Sequence, residues 1–383
     1  MKKRTGKSTW ISLCLICFLS VMTLCGSVSA KDFPSLTDCQ VIHEEKFGGI
    51  YIRITIDDFN ELGFVYGDSV DIAFSNGYEL QDLPYYNGYY CPTGDALLVA
   101  YPGYPYIDVM INNGDSIWDI AGITEDDTAT ITLNEPGEYA DIQNARDIRY
   151  SNERNDYPDD KTFANFRAVH AGEIAGDILY RSASPCDNSH NRASYVDALI
   201  EEAGIRCIID LADSEEDIRN YTEADDFDSP YFLSLYDAGN VLLLDMNTNY
   251  LSDKTRTAIA GALTALPEKE GPYLVHCMEG KDRTGFVCIL LEALCGADYE
   301  EIKDDYMETY ANYYGITETS QPERYAVIRD NVLGELISML FGGEDFDPET
   351  ADLEDAARSY LRESGMDDAQ IDLLRETLTR DGL

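Results

Sequence analysis

Two residues that can do chemistry together stand six positions apart in the stretch 276–285, which reads His-Cys-Met-Glu-Gly-Lys-Asp-Arg-Thr-Gly. Cys277 is a nucleophile when its thiol is ionised, and Arg283 offers a planar guanidinium that can hold two phosphate oxygens at once. A thiolate beside such a cation can attack phosphorus, form a cysteinyl-phosphate and pass the phosphate to water. The pair therefore predicts covalent hydrolysis of a phosphate monoester.

The elements on either side of this pair decide whether the chemistry can occur. An apolar strand at Tyr273–His276 leads into the loop, and an apolar helix predicted over 286–294 leaves it. A loop that leaves a strand and enters a helix turns its N–H groups inward, and the positive end of the helix dipole reinforces this anion-binding nest. We expect that field to stabilise the thiolate of Cys277. The alternative is a buried cysteine in an ordinary strand-to-helix turn.

The other residues of the loop are predicted to bind the phosphate of the substrate. They are Met278, Glu279, Gly280, Lys281, Thr284 and Gly285. Thr284 is expected to donate its hydroxyl to the sulfur of Cys277 and so to steady the thiolate. Glu279 would weaken phosphate binding unless its carboxylate points outward.

The amino terminus predicts a secreted protein. Four basic residues precede an apolar run at 10–22 that is too short to span a bilayer comfortably, and the small residues Val28 and Ala30 indicate a signal peptide cleaved after Ala30. A membrane anchor is the alternative, and no later stretch is apolar enough to span a membrane. Cleavage removes four of the 28 basic residues, which leaves 24 against 72 acidic ones and a net charge of −48. Such a surface repels nucleic acid, so no nucleic-acid partner is predicted.

Composition divides the mature chain into two domains. Residues 31–140 contain alternating stretches such as 50–56 and 128–133 between Asn-Gly and Pro-Gly turns, which predicts a small all-β domain of uncertain role and unknown partner. Residues 141–162 are polar and charged and indicate a linker. Residues 163–383 alternate apolar strands with helical patterns, as in an α/β domain. Tyrosines at 85–90 are interpreted as packing across a hairpin, with an exposed aromatic platform for a ligand as the alternative.

Seven cysteines remain after the predicted cleavage. Cys39 and Cys91 share the β domain and could pair, although the sequence does not fix a pairing. Cys288 and Cys295 fall on the helix after the loop and are predicted to be buried. The four histidines show no metal-ligand spacing, so neither a metal nor another cofactor is predicted.

The stretch 276–285 resembles the nucleophile loop of the protein tyrosine phosphatase superfamily, and within it the bacterial tyrosine and lipid phosphatase family. The similarity extends over about 163–380 through landmarks in the same order, which are Asn165-Phe-Arg167, Leu179-Tyr-Arg-Ser182, 204–211 and Ile302-Lys-Asp-Asp-Tyr306. The resemblance implies an α/β fold, with a tyrosine phosphatase-like sheet flanked by helices and preceded here by the all-β domain. The chain departs from the family at Ala168, where an aspartate is usual, and at Glu279, where a small residue is usual.

The resemblance also implies a function, which is hydrolysis of phosphotyrosine in proteins. Phosphoinositides or inositol polyphosphates are alternative substrates, because Lys281 also occurs in the loop of lipid-active relatives. A function of another class is a non-catalytic module that binds a phosphorylated ligand. The intact Cys277 and Arg283 disfavour that alternative.

A phosphatase of this kind needs a general acid that protonates the leaving oxygen. Asp282 is the first choice, because the similar bacterial and myotubularin-type loops carry an aspartate there that is proposed for this role. Asp245, which follows the apolar strand at 241–244, is the alternative. Asp282 could instead only brace Lys281 or Arg283.

Overall fold

The computed structural model describes residues 33–380, so the predicted signal peptide and its cleavage site after Ala30 lie outside the described residues. Its strands are β1 (Ser35–Glu44), β2 (Gly49–Ile52), β3 (Ser69–Phe74), β4 (Glu79–Tyr86), β5 (Ala96–Val99), β6 (Ile107–Ile111), β7 (Thr128–Glu135), β8 (Arg167–Ala168), β9 (Leu179–Ser182), β10 (Cys207–Asp210), β11 (Val241–Leu243) and β12 (Tyr273–His276). Its helices are α1 (Ile56–Glu61), α2 (Ile117–Ala121), α3 (Ala140–Arg146), α4 (Asp160–Ala164), α5 (Ala193–Glu202), α6 (Glu215–Thr222), α7 (Pro230–Asp237), α8 (Asp253–Ala265), α9 (Asp282–Leu294), α10 (Tyr299–Tyr314), α11 (Pro322–Val327), α12 (Gly334–Ser338), α13 (Leu353–Glu363) and α14 (Asp368–Thr379). Short 3-10 turns lie at Arg154–Asp156, Leu266–Glu268 and Met339–Phe341, and a π-helical segment, Ile328–Leu333, joins α11 to α12.

Strands β1 to β7 close into a barrel in the order β1-β2-β6-β5-β4-β3-β7. Neighbouring strands are antiparallel except β4 and β5, which run parallel with Tyr85 opposite Leu98. Successive side chains of a strand point to opposite faces, and the inward-facing Ile50, Ile52 and Val70 are fully buried. The predicted all-β region is therefore a closed barrel.

Two local predictions about this barrel are wrong. The alternating stretch 50–56 is not one strand, because the hydroxyl of Thr55 accepts a hydrogen bond from the N–H of Asp58 at 3.1 Å and caps α1. The tyrosines at 85–90 do not pack across a hairpin, because the next strand, β5, runs parallel to β4. Tyr85 and Tyr86 are instead buried, and the two tyrosines after the turn are half-buried.

Strands β8 to β12 form a second sheet in the order β11-β10-β12-β9-β8, with only β8 antiparallel to its neighbour. The register places Asp210, His276 and Ser182 side by side at the carboxyl ends of β10, β12 and β9. Open α/β sheets bind ligands at this edge. Cys277 follows the central strand β12 and so stands at the edge where a site is expected.

Helices cover both faces of this sheet, which confirms the predicted α/β architecture. Ile208 and Leu274 pack against α5, α6 and α7, whereas Ile209 and Val275 pack against α8, α9 and α13. Helix α9 is buried along its length from Phe286 onward, and it begins at Asp282, four residues before the predicted start. The loop that contains Cys277 therefore ends directly at the amino terminus of a buried helix.

The segment predicted as a linker, 141–162, is structured and contacts both neighbours. Gln143 of α3 donates to the side chain of Asn87 in the barrel at 2.8 Å. Arg324 of α11 donates to the carbonyl oxygen of Asn144 at 2.9 Å. The domain boundaries stay predictions.

Arg192, which is 2% exposed, fastens this segment to the second half of the chain. Its five N–H groups donate at 2.8 to 3.2 Å to the carbonyl oxygens of Phe163, His190 and Ser151, the side-chain oxygen of Asn152 and the hydroxyl of Tyr157. Its guanidinium also lies over the rings of Tyr150 and Tyr313, at 4.8 and 5.0 Å. These contacts fix Tyr150 beside the loop.

The barrel touches the second half of the chain close to the sheet edge that carries Cys277. The N–H of Thr93 donates to Glu335 of α12 at 2.8 Å. Asn249, in the connection from β11 to α8, donates to the carbonyl oxygen of Asn113 at 3.0 Å. The barrel therefore borders the candidate site.

All seven cysteines among residues 33–380 are free thiols, so Cys39 and Cys91 do not form the disulfide that the sequence left open. Cys288 and Cys295 are fully buried, as predicted. Within the same range, no helix is long and apolar enough to cross a membrane.

Candidate active site

Two glycines give the loop between β12 and α9 its shape. Gly280 has a φ of +68°, and a Cβ on it would lie 2.3 Å from the carbonyl oxygen of Ser182. No other residue fits there, because both the backbone angle and the space exclude a side chain. Gly285 lies in the first turn of α9, where a Cβ would lie 2.6 Å from the ring of Tyr306. Both glycines that were predicted to bind phosphate are therefore needed because the path of the backbone leaves no room for a side chain.

The carbonyl oxygens of Met278, Glu279 and Gly280 are bound on the outer side of the loop. Their partners, at 2.8 to 3.2 Å, are the N–H of Ser184, the hydroxyl of Tyr313, the guanidinium of Arg181 and the amide of Asn165. Within residues 33–380, the backbone N–H groups of 278–283 donate to no acceptor. Backbone donors in a folded protein are normally paired. A run of unpaired donors beside a helix amino terminus is suited to an anion such as phosphate.

The three candidate catalytic residues lie near one buried tyrosine. Cys277 is 3% exposed, and Arg283 in the first turn of α9 donates to the carbonyl oxygen of Met246 at 3.2 Å. Burial raises the pKa of Tyr250 well above its usual value, and the charges of Asp282, Cys277 and Arg283 all act on the same hydroxyl. The structure therefore places these three residues in one part of the molecule.

His276, the residue before the nucleophile, is fully buried. Its Nδ1 lies 3.4 Å from the carbonyl oxygen of Cys277, and its Nε2 lies 3.7 Å from the carboxylate of Asp210. Burial lowers the pKa of His276 to about 4, so the imidazole is neutral at neutral pH. It therefore positions the first turn of the loop and adds no positive charge there.

Glu279 points away from the nest. One carboxylate oxygen accepts a hydrogen bond from the hydroxyl of Tyr150 at 2.8 Å, and the other lies 3.3 Å from the ammonium of Lys281. Burial raises the pKa of Glu279, but Lys281 and the Tyr150 hydroxyl outweigh burial and hold that pKa below its usual value. The carboxylate of Glu279 therefore points outward, which is the arrangement that phosphate binding requires, and its charge is balanced outside the nest.

Thr284 does not make the predicted hydrogen bond. Its side chain is buried on α9, and its hydroxyl has no partner within residues 33–380, the sulfur of Cys277 included. The spacing in the sequence does not show where the Thr284 hydroxyl points. That direction depends on the orientation of α9, which the sequence does not give. Met278 lies at the rim, where its side chain is 40% exposed.

The two candidates for the general acid occupy different places. Asp282 begins α9, its side chain is 46% exposed, and its carboxylate lies 3.8 Å from the ammonium of Lys281. Asp245 faces away: its carboxylate lies 3.4 Å from the ammonium of Lys254, and the residue lines a separate groove with Asp213. Of the two, Asp282 is beside the nucleophile loop.

The sequence model of a family described as the tyrosine phosphatase family matches residues 138–380, which is more than half of the chain. The chain belongs to the tyrosine phosphatase family. The match includes the segment predicted as a linker and leaves the barrel strands outside.

Solved structures similar to this phosphatase include the core catalytic domain of the PP-IP phosphatase SIW14 from S. cerevisiae in complex with citrate. It is 19% identical, the match covers 46% of this chain and 91% of that one, and the TM-score is 0.27. A variant of TpbA from P. aeruginosa in complex with pTyr is also 19% identical, with 45% and 92% covered and a TM-score of 0.25. No curated protein sequence matches the chain.

Three of the sequence landmarks meet behind the loop of this phosphatase. Arg167 lies 2.9 Å from one carboxylate oxygen of Asp305, and Arg181 pairs with the other. Asn165 and Arg181 both donate to the carbonyl oxygen of Gly280. The sequence pattern identifies these landmarks but does not indicate their role. Arg181 could have indicated this ion-pair cluster, because an arginine within a buried strand needs an acidic partner.

Three buried side chains near the carboxyl end of β10 could hold a metal ion. Cys186, Asp210 and Asp213 offer ligand atoms within 4.8 Å of one another. Burial raises the pKa of Asp210 to about 6 and that of Asp213 to about 7, so at neutral pH a proton can relieve the repulsion between the two carboxylates.

Proposed function

We propose that this chain hydrolyses phosphate monoesters through a cysteinyl-phosphate on Cys277. The observation that carries the proposal is the set of unpaired N–H groups at 278–283 next to a buried cysteine, with the loop carbonyls bound on the opposite side. A dianionic phosphate placed there would satisfy those donors, and the dipole of α9 adds to the attraction. Arg283 would hold two of the phosphate oxygens.

In the first step the thiolate of Cys277 attacks phosphorus in line with the leaving oxygen. The new S–P bond forms as the P–O bond to the leaving group breaks. Protonated Asp282 gives its proton to that oxygen, so that no bare alkoxide or phenoxide is expelled. Its position at the start of α9, partly exposed beside the loop, supports this role.

In the second step water attacks phosphorus and displaces the sulfur. The carboxylate of Asp282, left ionised by the first step, accepts the proton of that water. Inorganic phosphate and the thiolate of Cys277 are the products.

Phosphotyrosine in proteins is the substrate class that we propose. The sulfur of Cys277 lies below the surface, with Met278 exposed at the rim, so a phosphate on a long aromatic side chain reaches it more easily than one on a short side chain. Phosphoinositides or inositol polyphosphates are the second candidate. Lys281 in the loop and Arg146 nearby favour them, because each added phosphate needs a cation.

Turnover of p-nitrophenyl phosphate by residues 31–383, with a metal chelator present, tests the proposal. Wild-type protein should hydrolyse it and should be inhibited by vanadate. Cys277→Ser should lose the activity, because an alcohol is not ionised at neutral pH, and Arg283→Lys should be nearly as damaging. Cys39→Ser, which changes a half-buried cysteine of the barrel, is the matched control and should keep it. More than about a tenth of wild-type rate in Cys277→Ser would contradict the mechanism.

The alternative of another class, a non-catalytic phospho-ligand module, makes the opposite prediction. Wild type and Cys277→Ser would then bind a phosphotyrosine peptide equally, and neither would hydrolyse it. Binding by calorimetry next to the turnover assay separates the two.

We also propose that the protein is secreted after cleavage behind Ala30. The basic residues, the short apolar run and the small residues at the predicted cleavage site support this. Mass spectrometry of protein from the culture medium should find an amino terminus at Lys31. Recovery only from cells, with Met1 retained, would contradict it.

A further inference from the structure

A cavity of about 190 Å³ lies between the barrel and the rest of the chain, beside the nucleophile loop. Its barrel side includes Tyr89, Thr93, Asn112 and Asn113, and Arg146 lies at the end of α3. Its other wall includes Thr248, Tyr250, Asp282 and Glu335. Asp282 is the residue proposed to protonate the leaving oxygen. The cavity is therefore where the part of the substrate beyond the scissile phosphate would lie.

Tyr250 connects this cavity to the catalytic residues. Its side chain is 4% exposed, and its hydroxyl has no hydrogen-bond partner within residues 33–380. Buried hydroxyls are nearly always bonded. An unpaired one on the wall of a cavity points to a ligand group there.

Arg146 is the cation of the cavity. No acidic side chain of the described residues lies within ion-pair distance of its guanidinium, in a protein with 72 acidic residues. The guanidinium lies over the ring of Tyr90 at 5.2 Å, which holds it in place. Burial raises the pKa of Tyr90, and the charges of Arg146 and Lys281 both oppose that rise.

The two acidic side chains of the cavity are engaged by groups other than Arg146. The carboxylate of Asp282 lies 3.8 Å from the ammonium of Lys281. Glu335 accepts a hydrogen bond from the N–H of Thr93 at 2.8 Å, and burial raises the pKa of Glu335. The guanidinium of Arg146 thus faces a polar space next to the leaving group with its hydrogen-bond donors available.

We propose that Arg146 and the barrel wall around it form a second binding subsite of this phosphatase, which takes a second phosphate on the substrate molecule. The inference rests on the proposed function, and it gives the barrel a role in choosing the substrate. The amides and hydroxyls of Asn112, Asn113 and Thr93 suit a hydroxylated ring between the two phosphates. This lining favours the second candidate substrate over phosphotyrosine, namely a phosphorylated cyclic polyol that is either free or the headgroup of a lipid.

The test compares Arg146→Met with the control Arg149→Met. Arg149 is an exposed arginine three residues after Arg146, so the control loses the same charge. For inositol hexakisphosphate, Arg146→Met should lower kcat/KM by about tenfold to 100-fold, because a charge-assisted contact to phosphate is lost. For p-nitrophenyl phosphate, which has no second phosphate, it should change kcat/KM less than twofold. Arg149→Met should change neither. Diphosphorylated phosphoinositide vesicles distinguish a lipid headgroup from a free inositol phosphate.

Equal losses on both substrates, or no loss on either, would overturn the subsite. A loss confined to doubly phosphorylated tyrosine peptides would overturn the assignment of a ring. Wild-type protein that does not hydrolyse p-nitrophenyl phosphate at all would instead refute the proposed function itself. The failures of the two proposals can therefore be told apart.

Discussion

Asn165 offers a direct way to test how the nucleophile loop is held. Its side chain is fully buried, and its amide nitrogen donates to the carbonyl oxygen of Gly280 at 3.1 Å and to the hydroxyl of Thr309 at 3.2 Å. Its oxygen accepts from Arg167 at 2.8 Å and from Asn312 at 3.1 Å. Asn165→Asp keeps the shape and the acceptor but replaces the donor with a second acceptor.

The expected cost follows from these contacts. Two lost hydrogen bonds cost about 1 kcal/mol each, and an oxygen that faces the Gly280 carbonyl without a proton adds about 1–2 kcal/mol. The free energy of unfolding should therefore fall by about 3–4 kcal/mol. The loop should also shift, and because a displacement of about 1 Å can cost about 100-fold, kcat should fall about tenfold to 100-fold. Asn165→Gly and Asn165→Ala separate the backbone contribution. Asn165 has a φ of +50°, so the alanine variant should be less stable than the glycine variant by about 1 kcal/mol.

Urea unfolding followed by circular dichroism gives the stability, and hydrolysis of p-nitrophenyl phosphate gives kcat. Asn312→Ala is the matched control, because its side chain donates a hydrogen bond to Asn165 and, among the described residues, none to the nucleophile loop. It should lose about 1 kcal/mol of stability and keep its kcat. If Asn165→Asp kept wild-type kcat, the loop would not be held in the way described. Unchanged stability would refute the hydrogen-bond assignment.

Three further predictions concern other parts of the molecule. Asp282→Asn should lower kcat about 100-fold or more for a phenyl phosphate with a basic leaving group, but little for p-nitrophenyl phosphate. Asp245→Asn should not show this difference between the two esters. Equal losses on both esters from Asp282→Asn would leave Asp282 only a bracing role. Arg192→Met should lower the free energy of unfolding by about 3 kcal/mol, because several carbonyl oxygens lose their hydrogen-bond donor. It should also expose residues 150–163 to proteases. An unchanged digestion pattern would show that Arg192 does not hold this segment in place. Burial, and to a smaller extent the charge of Glu44, raises the pKa of Asp108 to about 8. The folded barrel therefore keeps a proton on Asp108 that the unfolded chain releases near pH 4. This protonation stabilises the folded state at low pH, and that contribution is lost as the pH rises from about 4 to about 8. Asp108→Asn should therefore stabilise the barrel at pH 8 by at least about 1 kcal/mol and much less at pH 5, as read from the fluorescence of Trp118; an equal effect at both pH values would contradict the pKa.

The sequence predicted the parts of the site that depend on local order along the chain. A strand, a glycine-containing loop and a helix in succession fix where Cys277 and Arg283 stand, and hydrophobic periodicity is enough to identify those elements. The all-β region was predictable for the same reason, although the end of β2 was not, because the capping by Thr55 outweighed the alternating pattern.

What the sequence could not give are contacts between distant parts of the chain. The outward direction of Glu279 depends on Tyr150, which is 129 residues away, and Tyr150 is held by Arg192. The hydrogen bond predicted for Thr284 failed because a side-chain direction depends on how α9 packs. The position of Arg146 beside Asp282 depends on how the barrel docks, and no periodicity in the chain encodes that arrangement.

The most direct test of the covalent mechanism is to capture the phosphorylated enzyme. Wild-type protein mixed with excess p-nitrophenyl phosphate should release a burst of nitrophenol that approaches one equivalent if hydrolysis of the intermediate limits turnover. Mass spectrometry of protein quenched in denaturant during turnover should find phosphate on the peptide that contains Cys277, and Cys277→Ser should show neither burst nor phosphate. Turnover in which phosphate is found on another residue, or in which Cys277→Ser keeps the burst, would contradict the account.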